Sequence, residues 1–158
     1  MAVPKGHAVA SASFTRPADT TAYAANDLVA NSTTAGSVVA MTLNAGSAAG
    51  IPTRIRRVRL YGDKADATNF NFRVHLFNVL AITCANGDNG AFSVNKAANY
   101  LGQVDITTGQ LFTDGAMGSA TCDILNPLGT TYALLEAKAA YTPASAMIFT
   151  LALEVDQD

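Results

Sequence analysis

The sequence predicts an all-β protein: a single-domain antiparallel β-sandwich, of which the jelly roll is the simplest eight-strand form. Two observations lead to this prediction. Short segments that alternate apolar and polar residues recur along the chain, and turn signals rich in Gly, Asn, Asp and Pro separate them about every 8–15 residues. No long segment has a convincing helical period. A length of 158 residues suits one domain with its own core.

The composition limits the classes of function. Charged residues make up 14% of the chain, against roughly 25% in an average soluble domain. Such low charge is typical of proteins that contact other protein surfaces, where charge is depleted at the centre of the contact. A β-protein with a Thr- and Asn-rich surface explains the composition equally well. The net charge of −2 argues against direct nucleic-acid binding, which usually needs a basic domain.

The N-terminal segment, residues 1–14, is predicted to be an extended arm or an edge segment, and residues 15–158 the sandwich domain. Pro4 and Gly6 oppose regular structure, and the residues that follow are small. The start lacks the apolar core of a signal peptide, and no window reaches the ~20 apolar residues of a membrane helix. We therefore expect assembly in the cytoplasm and no membrane partner.

The most distinctive element is the strand Arg54-Ile55-Arg56-Arg57-Val58-Arg59-Leu60-Tyr61, which holds four of the ten Lys and Arg residues of the chain. Its apolar and cationic residues do not alternate strictly. A β-bulge near Arg56 and Arg57 would restore two consistent faces. The core face would then carry Ile55, Val58 and Leu60, and the solvent face Arg57, Arg59 and Tyr61.

Residues 69–80 are predicted to form the next strand and to pair with the basic strand as a hairpin with a long loop. One face of this strand would carry Phe70, Phe72, Val74, Leu76 and Leu80, and the other Asn71, Arg73, His75 and Phe77. The outer face of the hairpin would then carry Arg57, Arg59, Arg73 and His75.

Further strands are predicted along the rest of the chain. They cover residues 37–43, 100–106, 110–112, 121–125, 131–138 and 147–156. A helix over residues 134–140 is a competing interpretation, because Ala, Leu, Glu and Lys favour helix. The last strand alternates most clearly, and we expect it in the middle of a sheet.

No constellation of residues dictates a chemistry. His75 is expected on a half-exposed strand face, and most acidic residues lie in predicted turns, where Asp commonly caps backbone amides. Cys84 and Cys122 lack the spacing of a redox pair or a zinc site, and we expect two reduced, buried thiols rather than a disulfide. We therefore predict neither an enzyme nor a cofactor or metal site.

The basic strand has three interpretations. It could contact an acidic protein surface, where Arg pairs bidentately with carboxylates. It could form a basic, aromatic platform for nucleic acid, together with Phe77. Or it could be a solvated face neutralised by Asp63, Asp66 and carboxylates from neighbouring strands. The candidate protein-interface residues are Arg54, Arg56, Arg57, Arg59, Tyr61 and Arg73.

Three segments carry a resemblance to a known group of proteins. They are Ser13-Phe14-Thr15-Arg16-Pro17-Ala18-Asp19-Thr20-Thr21-Ala22-Tyr23-Ala24-Ala25-Asn26-Asp27-Leu28-Val29-Ala30, the basic segment Arg54-Ile55-Arg56-Arg57-Val58-Arg59-Leu60, and Tyr141-Thr142-Pro143-Ala144-Ser145. The chain resembles the small virion proteins of tailed bacteriophages, which are commonly encoded among head genes. The resemblance spans most of the chain, and it brings no site residues with it.

The resemblance implies a head decoration (cement) protein that binds the outside of the capsid and reinforces it. The partners would be the major capsid protein and further copies of this chain, forming a homo-oligomer on the virion surface after assembly in the bacterial host cytoplasm. Two alternatives remain open. One is a protein of the tail, collar or fibre, and the other is a carbohydrate-binding module that stacks sugars on Tyr23, Tyr61, Tyr100 and Tyr141.

Overall fold

The predicted all-β sandwich is confirmed by a computed structural model, which describes residues 6–45, 50–107 and 109–157. Two antiparallel sheets contain ten strands in this part of the chain. In chain order the strands are β1 (His7–Thr15), β2 (Leu28–Val29), β3 (Met41–Leu43), β4 (Thr53–Gly62), β5 (Phe72–Phe77), β6 (Tyr100–Ile106), β7 (Gln110–Phe112), β8 (Gly115–Asn126), β9 (Thr131–Ala137) and β10 (Ile148–Gln157). Two short 3₁₀ turns cover Ala35–Ser37 and Ala97–Asn99.

The first sheet has the strand order β1-β10-β4-β8-β7, and the second has the order β2-β9-β5-β6, with β3 also paired to β9. Most neighbours within a sheet are distant in sequence, as Greek-key connections require. The jelly-roll form of this sandwich stays a prediction. The last strand, β10, lies between β1 and β4, so its expected central position is confirmed.

The core lies between the two sheets and is built from the inward residues of their strands. From the first sheet come Ile55, Val58, Leu60, Leu151 and Leu153, and from the second Phe72, Val74, Leu76 and Leu135, all at most 1% exposed. Phe72 sits at the centre, with edge-on ring contacts to Phe70, Tyr141 and Phe149. Burying each such side chain contributes roughly 1.5–3 kcal/mol.

The predicted bulge in β4 is confirmed. The register of β4 against β8 shifts between Ile55 and Arg57, and its register against β10 shifts at the same place. Arg56 is the extra residue. Because of this insertion, Ile55 and Val58 both face the core although three positions separate them.

The predicted hairpin is wrong. Strand β4 belongs to the first sheet and pairs with β8 and β10, whereas β5 belongs to the second sheet and pairs with β6 and β9. Residues 63–71 connect the two strands and cross from one layer to the other. Alternation indicates which face of a strand is buried but does not specify the neighbouring strand, and a loop of this length permits either connection.

Several element boundaries also differ from the prediction. Strand β9 excludes the competing helix over 134–140, and β8 begins at Gly115, six residues before the strand predicted over 121–125. The strand predicted over 37–43 is limited to β3. Of the predicted N-terminal arm or edge segment, His7–Thr15 forms β1 at an edge of the first sheet, and residues 1–5 lie outside the described residues.

A buried polar cluster, the Arg16 clasp, joins three distant segments and consists of Arg16, Tyr23 and Asp88. The side chains of Arg16 and Asp88 are at most 1% exposed, and Arg16 Nη2 donates to Asp88 Oδ2 at 3.1 Å. Arg16 Nε donates to Tyr23 Oη at 2.9 Å, and that hydroxyl donates to Asp88 Oδ1 at 2.7 Å. Burial raises the pKa of Tyr23, so it stays a proton donor. The backbone N–H of Ala30 also donates to Asp88.

The clasp fastens the chain leaving β1 to the loop over residues 86–90. That loop packs closely on the segment around β2, since the Asp88 N–H donates to Ser32 O at 2.7 Å and the Leu28 N–H donates to Gly90 O at 2.8 Å. A Cβ atom on Gly87 would lie only 2.1 Å from Thr33 O. This close packing keeps water away from the clasp. Loss of the Asp88 charge would therefore leave the buried Arg16 guanidinium with one partner fewer and no water to replace it.

We predict that Asp88→Asn lowers the free energy of unfolding by about 3 kcal/mol, because it removes one partner of a buried ion pair while keeping the side-chain shape. Asp19→Asn is the matched control. Asp19 contacts the same Arg16 Nη2 at 3.0 Å but is 38% exposed, and we expect it to cost less than about 1 kcal/mol. Urea denaturation measures both variants. Equal losses would show that burial of the clasp has no special role.

Candidate functional site

The outer face of the first sheet gathers five of the six candidate interface residues. They are Arg54, Arg56, Arg57, Arg59 and Tyr61, all on β4 and all partly or well exposed. The sixth, Arg73, lies on β5 in the second sheet, so the structure does not bring it to the same surface. We call the four arginines of β4 the Arg strip.

One end of the Arg strip is balanced by carboxylates from the two neighbouring strands. Asp123 of β8 accepts from Arg54 Nη1 at 2.9 Å and from Arg56 Nη1 at 3.0 Å. Asp156 of β10 accepts from Arg56 Nε at 2.7 Å and contacts His7 Nδ1 at 3.0 Å. The hydrogen bond from Arg54 lowers the pKa of Asp123, and those from His7 and Arg56 lower the pKa of Asp156. Here the charges nearly cancel.

The other end of the Arg strip carries excess positive charge. Arg57 and Arg59, named here the Arg57–Arg59 pair, share one carboxylate, Glu154 of β10, at Nε–O distances of 3.2 and 3.3 Å. The Arg59 contact lacks the alignment of a hydrogen bond. These two side chains are 48% and 38% exposed, whereas Glu154 is 17% exposed. Two cations therefore share one anion on a surface open to solvent.

These contacts bear on the three interpretations of the basic strand. Neighbouring strands do supply neutralising carboxylates, but Asp63 and Asp66 do not take part. Asp63 accepts from the Ile148 N–H and Asp66 from the Thr68 N–H. The aromatic platform for nucleic acid is not assembled, since Phe77 is 2% exposed within the second sheet.

Arg73 has a partner of its own. Its Nε and Nη2 donate to the two oxygens of Asp105 on the paired strand β6, at 2.6 and 2.8 Å. These hydrogen bonds lower the pKa of Asp105. Such a bidentate pair satisfies the guanidinium within the chain.

His75 lies in a buried cluster that the sequence did not reveal. Its Nε2 lies 2.6 Å from Glu136 Oε2, its Nδ1 lies 3.0 Å from Tyr100 Oη, and its ring stacks on Phe92 at 4.1 Å. The expectation of a half-exposed histidine is wrong, since it is 7% exposed. The segment over residues 78–99 covers His75, since Phe92 stacks on its ring. The alternation of residues within a strand does not indicate whether a distant segment covers its outer face.

A cavity of about 250 Å³ lies beside this cluster. Its lining residues are His75, Phe77, Phe92, Val94, Asn95, Ala97 and Tyr100. Among the four tyrosines of the carbohydrate-binding alternative, Tyr100 lines this cavity and is 38% exposed. Tyr23 and Tyr141 are 1% exposed and cannot stack on a sugar, and Tyr61 donates to Asp114 O.

The two cysteines are free, so the alternative of a disulfide is wrong. Cys84 is buried, as expected, and Cys122 is partly buried. Burial raises the pKa of both thiols. Within the described ranges, no three His, Cys, Asp or Glu side chains converge in a way that could hold a metal ion. Nor does any helix in the described part of the chain have the length and apolar character to cross a membrane.

The chain is similar to known proteins in structure only. No protein-family model and no curated protein sequence matches the chain. Among solved structures, it is similar to the PRD1 vertex protein P5, with 15% identity over 94% of this chain and 98% of that one, at a TM-score of 0.34. Murine APRIL gives 8% identity over 94% and 99%, at 0.31. The black queen cell virus structure gives 10% identity over 97% and 69%, at 0.26. All three TM-scores lie below 0.5.

We predict that His75 makes the protein less stable as the solution turns mildly acidic. Burial lowers the pKa of His75 from its ordinary value of 6.5, although Glu136 acts in the opposite direction. Between that lowered pKa and 6.5, His75 binds more protons in the unfolded chain than in the folded one, so its contribution makes stability fall as pH falls through this window. Urea unfolding measured between about pH 8 and about pH 5 should show this decline.

In the variant His75→Gln, the free energy of unfolding should fall less between about pH 8 and about pH 5 than in the parent. In the control variant His7→Gln, at the exposed histidine, it should fall as much as in the parent. Carboxylates with lowered pKa, such as Asp105, titrate below 3.8. Burial raises the pKa of Asp88, which opposes the decline, but this effect is the same in the parent and in both variants and cancels in the comparison. A His75→Gln variant with the unchanged pH dependence of the parent would contradict the assignment.

Proposed function

We propose that this protein is a non-enzymatic decoration protein of a bacteriophage head, which binds the outer capsid surface in many copies and stabilises it. The observation that carries the proposal is the Arg57–Arg59 pair on an open sheet face. Support also comes from the resemblance of the sequence to small virion proteins.

The Arg57–Arg59 pair favours an acidic protein partner. Each guanidinium contacts the same carboxylate, Glu154, through Nε, so one acidic group is shared between two cations. Planar Nη groups are suited to bidentate pairing with a carboxylate. A carboxylate supplied by another protein would relieve the repulsion between the two cations, and this gain is available only in the bound state.

The form of the surface favours a protein rather than a small ligand. The Arg strip and its carboxylates extend across β8, β4 and β10, the three inner strands of the first sheet. Such a sheet face matches an extended contact, with the nearly balanced end of the strip providing polar complementarity. The major capsid protein is the partner that we propose for it.

Two of the segments that carry the sequence resemblance lie together in the fold. Tyr23 and Tyr141 exchange backbone hydrogen bonds, and Tyr23 belongs to the Arg16 clasp. These segments therefore secure the sandwich, while the third segment, on β4, provides the exposed surface. A decoration protein needs this combination of a rigid body and one adhesive face.

Each contact can be weak, because many copies bind one lattice. An exposed ion pair contributes roughly 0.2–1 kcal/mol. Linkage between neighbouring copies on the capsid raises the overall affinity without any new contact.

Co-sedimentation with expanded, protein-only heads tests the proposal. We expect the parent chain to bind, with occupancy that falls as salt rises. The double variant Arg57→Gln, Arg59→Gln should bind severalfold more weakly and with a flatter salt dependence. Arg73→Gln is the matched control, because it removes an arginine from the other sheet, and its occupancy should equal that of the parent.

The outcomes separate two claims. Parent-like occupancy of the double variant across the salt series would assign the Arg57–Arg59 pair to a merely solvated face. Failure of the parent chain to bind any head state would refute the decoration role itself.

A further inference from the structure

Strand β1 forms one edge of the first sheet. It pairs with β10 over its nine residues, from His7 opposite Asp156 to Thr15 opposite Ile148, with no shift of register. At the opposite edge, β7 has only three residues. The sheet therefore has one long, regular edge and one short one.

Every second residue of β1 directs its backbone N–H and C=O away from β10. The Gln157 N–H donates to Gly6 O at 2.8 Å and the Arg16 N–H donates to Met147 O at 3.0 Å, so even-numbered positions bond to β10. The outward backbone groups belong to His7, Val9, Ser11, Ser13 and Thr15. The described residues offer these groups no hydrogen-bond partner.

Between Ala8 and Thr15 this edge lacks the charges, prolines and bulges that often prevent pairing between sheet edges. Natural edge strands are short, or carry charges, Pro or a bulge. From Ala8 to Thr15 the strand has no charged residue and no Pro, and its regular register excludes a bulge. Its outward-facing side chains are exposed, and Val9 is 53% exposed. The backbone groups of this edge are therefore available to pair with another strand.

A second copy of β1 fits this edge. In a fully overlapped antiparallel pair, Ser11 lies opposite its own symmetry copy, Val9 opposite the copy's Ser13, and His7 opposite the copy's Thr15. No like charges meet, and Ser opposite Ser is a favourable cross-strand pair. Towards the core, Ala10 lies opposite the copy's Ala12 and Ala8 opposite the copy's Phe14, so no two large side chains lie opposite each other.

We propose that two copies of this chain associate through β1, around a two-fold axis at Ser11, to form one continuous ten-stranded sheet. Such an isologous contact closes on itself and ends with the dimer. The axis is perpendicular to the sheet, so both Arg strips face the same side. The inference does not depend on the capsid role, and its test needs only the isolated chain.

Sedimentation velocity of the chain over a range of concentrations tests the proposal. We expect a dimer for the parent. Ser11→Lys and Ser11→Glu each place like charges opposite each other at the axis, and each should weaken dimerisation roughly fivefold. An equimolar mixture of the two variants should restore the affinity of the parent, since opposite charges then meet.

The matched controls are Ser119→Lys and Ser119→Glu, at an exposed serine on the same sheet face but on β8, away from the edge. They should dimerise as the parent does, and circular dichroism should show intact β-structure in all variants. A parent that stays monomeric at every concentration would overturn the proposal. So would Ser11 variants that dimerise like the parent, or a mixture no tighter than either variant alone.

Discussion

The bulge at Arg56 is the constraint on which the rest of the structure depends. Side chains alternate with a period of two along a strand, so a single slip of register exchanges the buried and exposed faces. Without the extra residue, the face that begins with Ile55 would continue with Arg57 and Arg59 and would place two guanidiniums in the core. The bulge keeps Ile55, Val58 and Leu60 buried and turns the arginines outward. It thereby produces both a continuous core and the surface that we propose as adhesive.

The arginines of this protein differ in burial and in how far nearby carboxylates compensate their charge. In the Arg16 clasp, the guanidinium is fully buried, and Tyr23, Asp88 and Asp19 accept its hydrogen bonds, so its charge is compensated within the fold. In the Arg57–Arg59 pair, compensation is partial and the groups stay exposed. A buried charge needs a partner within the fold, because no water solvates it. An exposed charge is solvated by water and stays available to pair with another molecule. This difference separates the structural arginine from those assigned to binding.

The sequence predicted what depends on local pattern, and the structure differs where distant segments meet. Alternation and turn signals predicted the sandwich, the bulge and the central position of β10. They could not predict that β4 and β5 lie in different sheets, because the face of a strand does not specify its neighbour. No local pattern marked Arg16 as buried, Asp88 is among the acidic residues expected in turns, and His75 was expected on a half-exposed strand face. Arg16 is buried because it contacts Asp88, 72 positions away in the sequence, and His75 is buried because residues 78–99 cover it. The periodicity of a single strand contains no information about either contact.

The central claim is that this sandwich binds a phage head through the outer face of its first sheet. The most direct measurement is an electron cryo-microscopy map of the virion to which the proposal assigns this protein, at a resolution that separates strands. We predict density for the sandwich on the outside of the head, with β8, β4 and β10 against the capsid protein and the Arg57–Arg59 pair beside an acidic residue. Density in the tail, collar or fibres, or on the head with this face turned to solvent, would contradict the account.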